Sequence, residues 1–379
     1  MTREGLLVAK TKKEIKYFST IKQVYQNKRH ALEIFSRLAK SNKITIKDFK
    51  EDETTLKYLF SCQNRKLINE IQGSANTFEF NKNFNPVLGI GISNNSYYFT
   101  LMNLAGEILF EKKINLELAS GKKIKNKDLE EHLNKKLEGV LNSLQHNNYA
   151  DIIGLSVDEN FIDSKVSFIT AKLLKKILNK NVMIIKNSAS SGYAEKFFNT
   201  NLKEKNILYI HSDEGNGVLF KDGLVFESVE TQDDKGYQYL TGWHHFNIVE
   251  NIKELISRGI GSDIVSLIGG NIENISLDTV FEAANKNDKL ALDIIKRTAV
   301  ALSVRITCLV HMFETMDVVL GGGIEKIKKY FLENLQSTVK IFMPKKEWAD
   351  FKVYDVFLGE TAPSKGAALL CVRELFMEV

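Results

Sequence analysis

Apolar residues are spaced in more than one way along this chain, and the spacing changes at Pro86. Over residues 28–40, Ala31, Ile34, Phe35 and Leu38 recur at three- and four-residue intervals, the period of one helix face. Ile44-Thr45-Ile46 is short and extended, and Asp48 to Glu53 opens a second short helix or turn. Residues 54–62 read as a third helix with Leu56, Leu59 and Phe60 inward. Residues 66–71 and 75–80 read as two strands around Gln72-Gly73-Ser74. Three small helices followed by a hairpin predict a winged helix-turn-helix. The polar run Asn81-Lys82-Asn83-Phe84-Asn85 and then Pro86 mark its boundary.

After Pro86 short apolar runs alternate with helical stretches, the signature of α/β structure. Strands are predicted at 87–92, 97–103, 107–113, 152–157 and 182–186, with a turn at Ala105-Gly106 and helices at 127–145 and 165–178. The second half repeats the plan. Strands are predicted at 206–211, 217–220, 224–227, 318–320 and 351–357, and helices at 288–313 and 364–377. Two successive β-β-β-α-β-α units resemble the plan of the actin, hexokinase and Hsp70 superfamily. The expected division is residues 1–80 as a DNA-binding module, 86–187 with the C-terminal helix 364–379 as a first lobe, and 188–363 as a second.

Composition narrows the class. The 379 residues allow two or three domains. No apolar run reaches the roughly 18–20 residues that span a bilayer, and the N-terminus lacks a signal-peptide layout. Cys62, Cys308 and Cys371 are distant and odd in number, which argues against a disulfide framework and fits a reducing cytoplasm. The net charge of +5 is uneven: residues 1–80 carry 16 Lys and Arg against 9 Asp and Glu, leaving the remainder at −2. Such a segment suits a polyanion-binding module, although Lys, Asn and Ile are frequent throughout.

Two glycine motifs carry a family resemblance. Asp317-Val318-Val319-Leu320-Gly321-Gly322-Gly323-Ile324 ends a strand on three glycines. Leu358-Gly359-Glu360-Thr361-Ala362-Pro363-Ser364-Lys365-Gly366-Ala367-Ala368 opens the last helix. Together they resemble the ROK family of repressors, open reading frames and sugar kinases, in whose kinases the matching Gly-Gly lies against adenosine. Elsewhere the kinase motifs are altered. Where those kinases carry Asn-Asp-Ala-Asn, with the Asp as base, this chain has Asn187-Ser188-Ala189-Ser190. A serine with no base beside it does not take a proton near neutral pH. The resemblance places the magnesium-orienting Asp at Gly91 and the phosphate-cradling double glycine at Ser93-Asn94. The second phosphate loop becomes His211-Ser212-Asp213-Glu214-Gly215-Asn216-Gly217, with two carboxylates beside the phosphates. Asp234-Lys235-Gly236-Tyr237 stands for the family's Glu-x-Gly-His, and no cysteine lies between Cys62 and Cys308 to form its zinc site. His244-His245 has no partner motif and reads as ordinary polar sequence.

The N-terminal module resembles that of ROK repressors most clearly at Lys66-Leu67-Ile68-Asn69-Glu70, the entry into the wing. On the candidate recognition helix, Thr54, Thr55, Lys57, Tyr58 and Ser61 are expected to face a major groove. Lys47, Lys50, Arg65 and Lys66 are expected to meet phosphates. Glu51-Asp52-Glu53 favours the helix dipole and repels a DNA backbone. The resemblance implies a cytoplasmic, dimeric or higher-order transcriptional repressor of operator DNA, with no cofactor, no metal and no catalytic residue. A sugar or sugar derivative in the inter-lobe cleft would be its effector, held by Asn187, Asp234 and Tyr237. The alternatives are an active sugar kinase with an appended domain, and an interaction protein that has lost both DNA and sugar.

Overall fold

Ile15–Tyr17 forms a strand (β1) in the computed structural model, and its partner lies far along the chain. The structure describes residues 15–17, 21–49, 52–93, 96–117, 126–144, 149–157, 165–211, 216–221, 224–226, 248–315, 317–342 and 349–378. Helix α1 (Ile21–Ser41) follows, then β2 (Ile44–Thr45), α2 (Glu53–Asn64), β3 (Ile68–Glu70) and β4 (Thr77–Phe80). The three strands pair in the order β2-β4-β3. Ile34, Leu38, Ile44, Phe49, Leu59 and Phe78 are buried between helices and sheet, giving the winged helix-turn-helix expected. One expected element is reduced: the middle helix is a single 3-10 turn, Ile46–Phe49. Asp48 shapes it by accepting the Thr45 N–H at 2.6 Å and the Thr45 hydroxyl at 3.0 Å, the local bonding with which Asp competes against helix.

The body begins at β5 (Val87–Ser93), which pairs antiparallel with β6 (Ser96–Met102); β6 in turn pairs with β7 (Ile108–Asn115). Asn103 closes the turn between β6 and β7, its Oδ1 accepting from the N–H of Ala105 and of Glu107 at 3.0 Å. Helix α3 (Asn126–Leu144) buries Leu129, Leu133, Leu137, Val140 and Leu144 at helical spacing. Then come β8 (Ile152–Val157), α4 (Lys165–Leu178) and β9 (Asn181–Lys186), the two strands running parallel to β5. β1 adds to the outer edge of β9, with Ile15 opposite Val182. The segment ahead of the winged helix is thus anchored in the first lobe, a link that three residues of sequence do not announce.

Helix α5 (Asn187–Phe198) leads to the second sheet. Here β10 (Ile207–His211), β11 (Asn216–Lys221) and β12 (Leu224–Phe226) form the meander. Among the described residues that follow, the α-helices are α6 (Ile248–Ser257), α7 (Ile264–Leu267), α8 (Leu277–Asn285) and α9 (Lys289–Phe313). Strand β13 (Asp317–Gly321), α10 (Lys328–Phe342), β14 (Lys352–Tyr354) and α11 (Ala362–Met377) complete the chain. The orders β7-β6-β5-β8-β9 and β12-β11-β10-β13-β14 are the same topology twice, as the repeated plan predicted. The last strand is shorter than the 351–357 expected.

α11 is buried along nearly its whole length, Lys365 and Arg373 included. It packs on β5, β8 and α5, and small residues let the backbones meet. A Cβ at Gly89 or Gly154 would run into α11 backbone, and one at Gly366 would run into the Ser190 carbonyl of α5. α5 in turn lies against Tyr209 and Phe220 of the second sheet, so α5 and α11 together join the lobes. Glu195 of α5 strengthens the joint. It is fully buried and accepts the N–H groups of Phe357 and Leu358, both at 2.8 Å, just before α11. Burial holds its carboxyl above the usual carboxylate range, against the opposing pull of these two bonds.

Two glycine substitutions separate packing from propensity. Gly366→Ala should cost about 1–3 kcal/mol, because Ser190 backbone must move. Gly139→Ala, on exposed α3 with no atom within 4 Å of the new methyl, should gain about 0.4–1 kcal/mol. Urea unfolding of both variants measures the two signs.

Candidate functional sites

The residues that the resemblance assigns to the inter-lobe site sit where the ends of β5 and β8 meet the start of α5. Asn187 is 1% exposed and is the first residue of α5; the cap position is Lys186, which makes no side-chain cap bond. The Asn187 amide is spent on the fold instead. Its Oδ1 accepts from the Ser156 hydroxyl at 2.6 Å, and its Nδ2 donates to the Ile92 carbonyl at 2.9 Å. Ser156 and Ser190 hydroxyls lie 2.5 Å apart. The side chain therefore pins three elements together rather than capping the helix or standing open to a ligand. Ser188 beside it is equally buried. Among the described residues meeting here, the polar side chains are serines and Asn187, with no carboxylate to act as base.

The position for a magnesium-orienting Asp is closed by packing. A Cβ at Gly91 would sit 3.0 Å from both Pro363 Cβ and Ser364 N at the start of α11. The glycine run after β13 is likewise occupied by the chain itself. Gly322 and Gly323 have φ of 69° and 98°, in the left-handed region open to glycine. The Gly323 N–H, of the kind that could meet a ligand, donates to Glu325 Oε2 at 2.8 Å. Burial raises the Glu325 carboxyl above its ordinary value, with the Gly323 bond opposing and Asp278 adding to the rise. The Tyr209 hydroxyl fills the space beside Gly321. Burial lifts this phenol well above its usual range, and Glu195 and Glu325 lift it further. Glu195, Tyr209 and Glu325 thus lie close enough to act on one another's ionisation beside the glycine turn. Glu195, Tyr209 and Glu325 were not visible as a group in the sequence, because they lie on α5, β10 and the turn after β13. Asp213, Glu214, Asp234, Tyr237, His244 and His245 lie outside the described residues.

The second site is α2. Asp52 caps it, with Oδ1 accepting from the N–H of Thr54 at 3.0 Å and of Thr55 at 3.1 Å. The Thr55 hydroxyl donates to Asp52 Oδ2 at 2.7 Å and lies 2.7 Å from His30 Nδ1. Those Thr55 bonds hold the Asp52 carboxyl below its usual range. Thr55 is accordingly buried and cannot face a groove, which corrects the expectation from spacing alone. With Leu59 and Cys62 it forms the inner face of α2. Thr54 and Lys57 are exposed and Ser61 half-buried, and their spacing puts them on the other face. Tyr58 is half-buried and stacks on His30, ring centroids 5.7 Å apart. His30 of α1, which the sequence reading did not single out, contacts both Thr55 and Tyr58 of α2. Lys47, Arg65 and Lys66 are exposed; Lys50 and Glu51 lie outside the described residues. The acidic cluster is partly explained, since the charge of Asp52 is engaged by the cap.

Comparison with known proteins agrees with this architecture. The model of the ROK family matches residues 254–374. A xylose repressor of Caldicellulosiruptor bescii is 20% identical over 366 residues, covering 86% of this chain and 88% of that protein. A crystal structure of a ROK family transcriptional regulator, a homologue of the E. coli MLC protein, superposes with a TM-score of 0.64 at 17% identity. It covers 94% of this chain and 97% of its own, so the shared fold includes the N-terminal module. A ROK family glucokinase from Streptomyces griseus, in complex with glucose and AMPPNP, gives 0.53 at 13% identity. It covers 75% of this chain and 98% of its own. No helix among the described residues is long and apolar enough to cross a membrane. With its duplicated lobes and paired glycine motifs the chain resembles the ROK family, whose model its residues 254–374 match.

Proposed function

We propose that the chain is a ROK-type transcriptional repressor that binds operator DNA through residues 1–80 and catalyses no phosphoryl transfer. The observation that carries the reading is the two-sided burial of α2. One face, Thr55, Leu59 and Cys62, is locked into the module; the other, Thr54, Lys57 and Ser61, is offered outward with Arg65 and Lys66 beyond it. A dimer would set two such helices against a two-fold operator. The cleft between 86–187 (with 364–379) and 188–363 would hold the effector. The xylose repressor relative makes xylose the first candidate. An effector contact at Asn187 requires its bond to Ser156 to open, and Asp234 and Tyr237 are the proposed partners across the cleft.

The coupling has a structural basis. Phe35 of α1 and Phe80 of β4 pack on Phe376 of α11, with centroids 5.4 and 5.7 Å from it. Aromatic contacts of this kind each contribute about 0.5–1.5 kcal/mol beyond area burial. The module also reaches toward the second lobe, where Lys40 of α1 meets Glu204 at 2.8 Å. A change in the angle between lobes would therefore strain the seat of the module.

Fluorescence anisotropy with DNA from upstream of its own gene tests the reading. The affinity should fall steeply with salt, at a log–log slope of about −0.9 per phosphate contact. Lys57→Ala and Arg65→Ala should each make the slope shallower by about 1 if they meet phosphates. Salt-independent binding, or none to any genomic fragment, would sink the repressor reading. Thr55→Ala should lower stability by about 1 kcal/mol in urea unfolding. Its salt slope should match wild type. For the enzymatic alternative, ATP consumption with xylose and a hexose panel should stay at background. The same should hold for the Gly91→Asp, Ser188→Asp double variant, in which packing at Pro363 opposes the restored side chain.

A further inference from the structure

A cavity of about 400 Å³ lies between the winged helix and the body. Its walls come from α1, α5, the 199–206 loop, β11 and α11. The apolar part is Phe35, Ala39, Tyr193, Phe197 and Phe220. The charged part is Lys40, Lys196, Lys203, Lys205 and Arg373, with Glu204 as the one carboxylate on the lining.

The cations are held in place. Lys196 is half-buried, and its Nζ donates to the carbonyls of Leu202 and Lys203 at 3.1 Å and to that of Lys205. Arg373 is 3% exposed, on the most buried helix of the protein. Lys203 stands over the Phe197 ring at 5.7 Å, and Lys205 is fixed to Asp317 at 3.0 Å. Burial, then the neighbouring Lys40, push the Lys196 ammonium down to about 8, with Glu204 opposing. These side chains line one partly enclosed space, where an entering anion would meet an excess of positive charge. The volume is that of a small-molecule site, and aromatic walls beside a few fixed charges are the usual composition of one.

We propose that this cavity is a second small-molecule site, taking a phosphorylated or carboxylated compound whose anion meets Lys203 and Arg373 and whose apolar body lies against Phe35, Tyr193 and Phe220. Its occupant would bridge α1 to the 199–206 loop, the same two segments that Lys40 and Glu204 already join. The site is independent of the repressor reading, because it requires neither DNA nor a sugar in the cleft.

The test uses the full-length protein without DNA. Phenyl phosphate is titrated by isothermal calorimetry, with inorganic phosphate and phenol as comparisons. Phenyl phosphate should bind tighter than either, since only it supplies both the anion and the apolar body. Lys203→Ala should weaken it about tenfold, the effect of one lost charged contact of about 1.4 kcal/mol. Arg373→Leu should weaken it further; if that buried variant does not fold, Lys203→Ala alone decides. Lys57→Ala, on the recognition helix, should leave the affinity unchanged, which separates this site from phosphate binding on the DNA face. Hydrogen exchange should show α1 amides from residue 29 onward protected by phenyl phosphate. The proposal is overturned by no binding at millimolar concentration, by equal affinity for phenol or inorganic phosphate, or by an affinity indifferent to Lys203→Ala.

Discussion

The rest of the molecule depends on the burial of α11. A helix enclosed on every side must be small where backbones cross it, and Gly366 against Ser190 is the tightest such crossing. Its far end carries Phe376, on which the winged helix sits, and its near end carries Pro363 and Ser364, which close the space beside Gly91. One element thus fixes the first lobe, seats the winged helix and crowds the space beside Gly91. Even its charged residues are drawn in, Lys365 reaching Glu111 at 3.1 Å.

The altered kinase motifs are stabilised by the fold that surrounds them. Asn187 ties Ser156 to Ile92, Glu325 takes the Gly323 N–H, and Tyr209 lies beside Gly321. A buried donor or acceptor left without a partner costs about 1–3 kcal/mol, so buried polar groups at these positions are expected to find partners in the chain. The internal bonds seen here satisfy that requirement.

The joint between module and body is mixed in character. Toward the first lobe it is aromatic and dry, through Phe35, Phe80 and Phe376. Toward the second it is open, with a cationic cavity and the exposed pair Lys40–Glu204. Exposed ion pairs contribute about 0–1 kcal/mol, so the second contact yields more readily than the first.

Much of this architecture was legible in the sequence. The repeated strand and helix pattern specified the duplicated lobes, because period-two and period-3.6 burial is a local property of each segment. The glycine motifs carried the family resemblance, since backbone turns and close approaches admit few other residues. What the sequence left open depended on distant partners. β1 needs the edge of β9, 165 residues on from Tyr17 to Val182 in sequence, and carries no pattern of its own. Thr55 looked like a groove residue until Asp52 and His30 claimed its hydroxyl, and Asn187 looked like a helix cap until Ser156 and Ile92 engaged its amide within the fold. The cationic cavity assembles residues from five separate segments. Periodicity tells which face of an element is buried; only the tertiary structure decides which polar atoms meet there, because hydrogen bonds and charges act over a few ångströms of space whatever their separation along the chain.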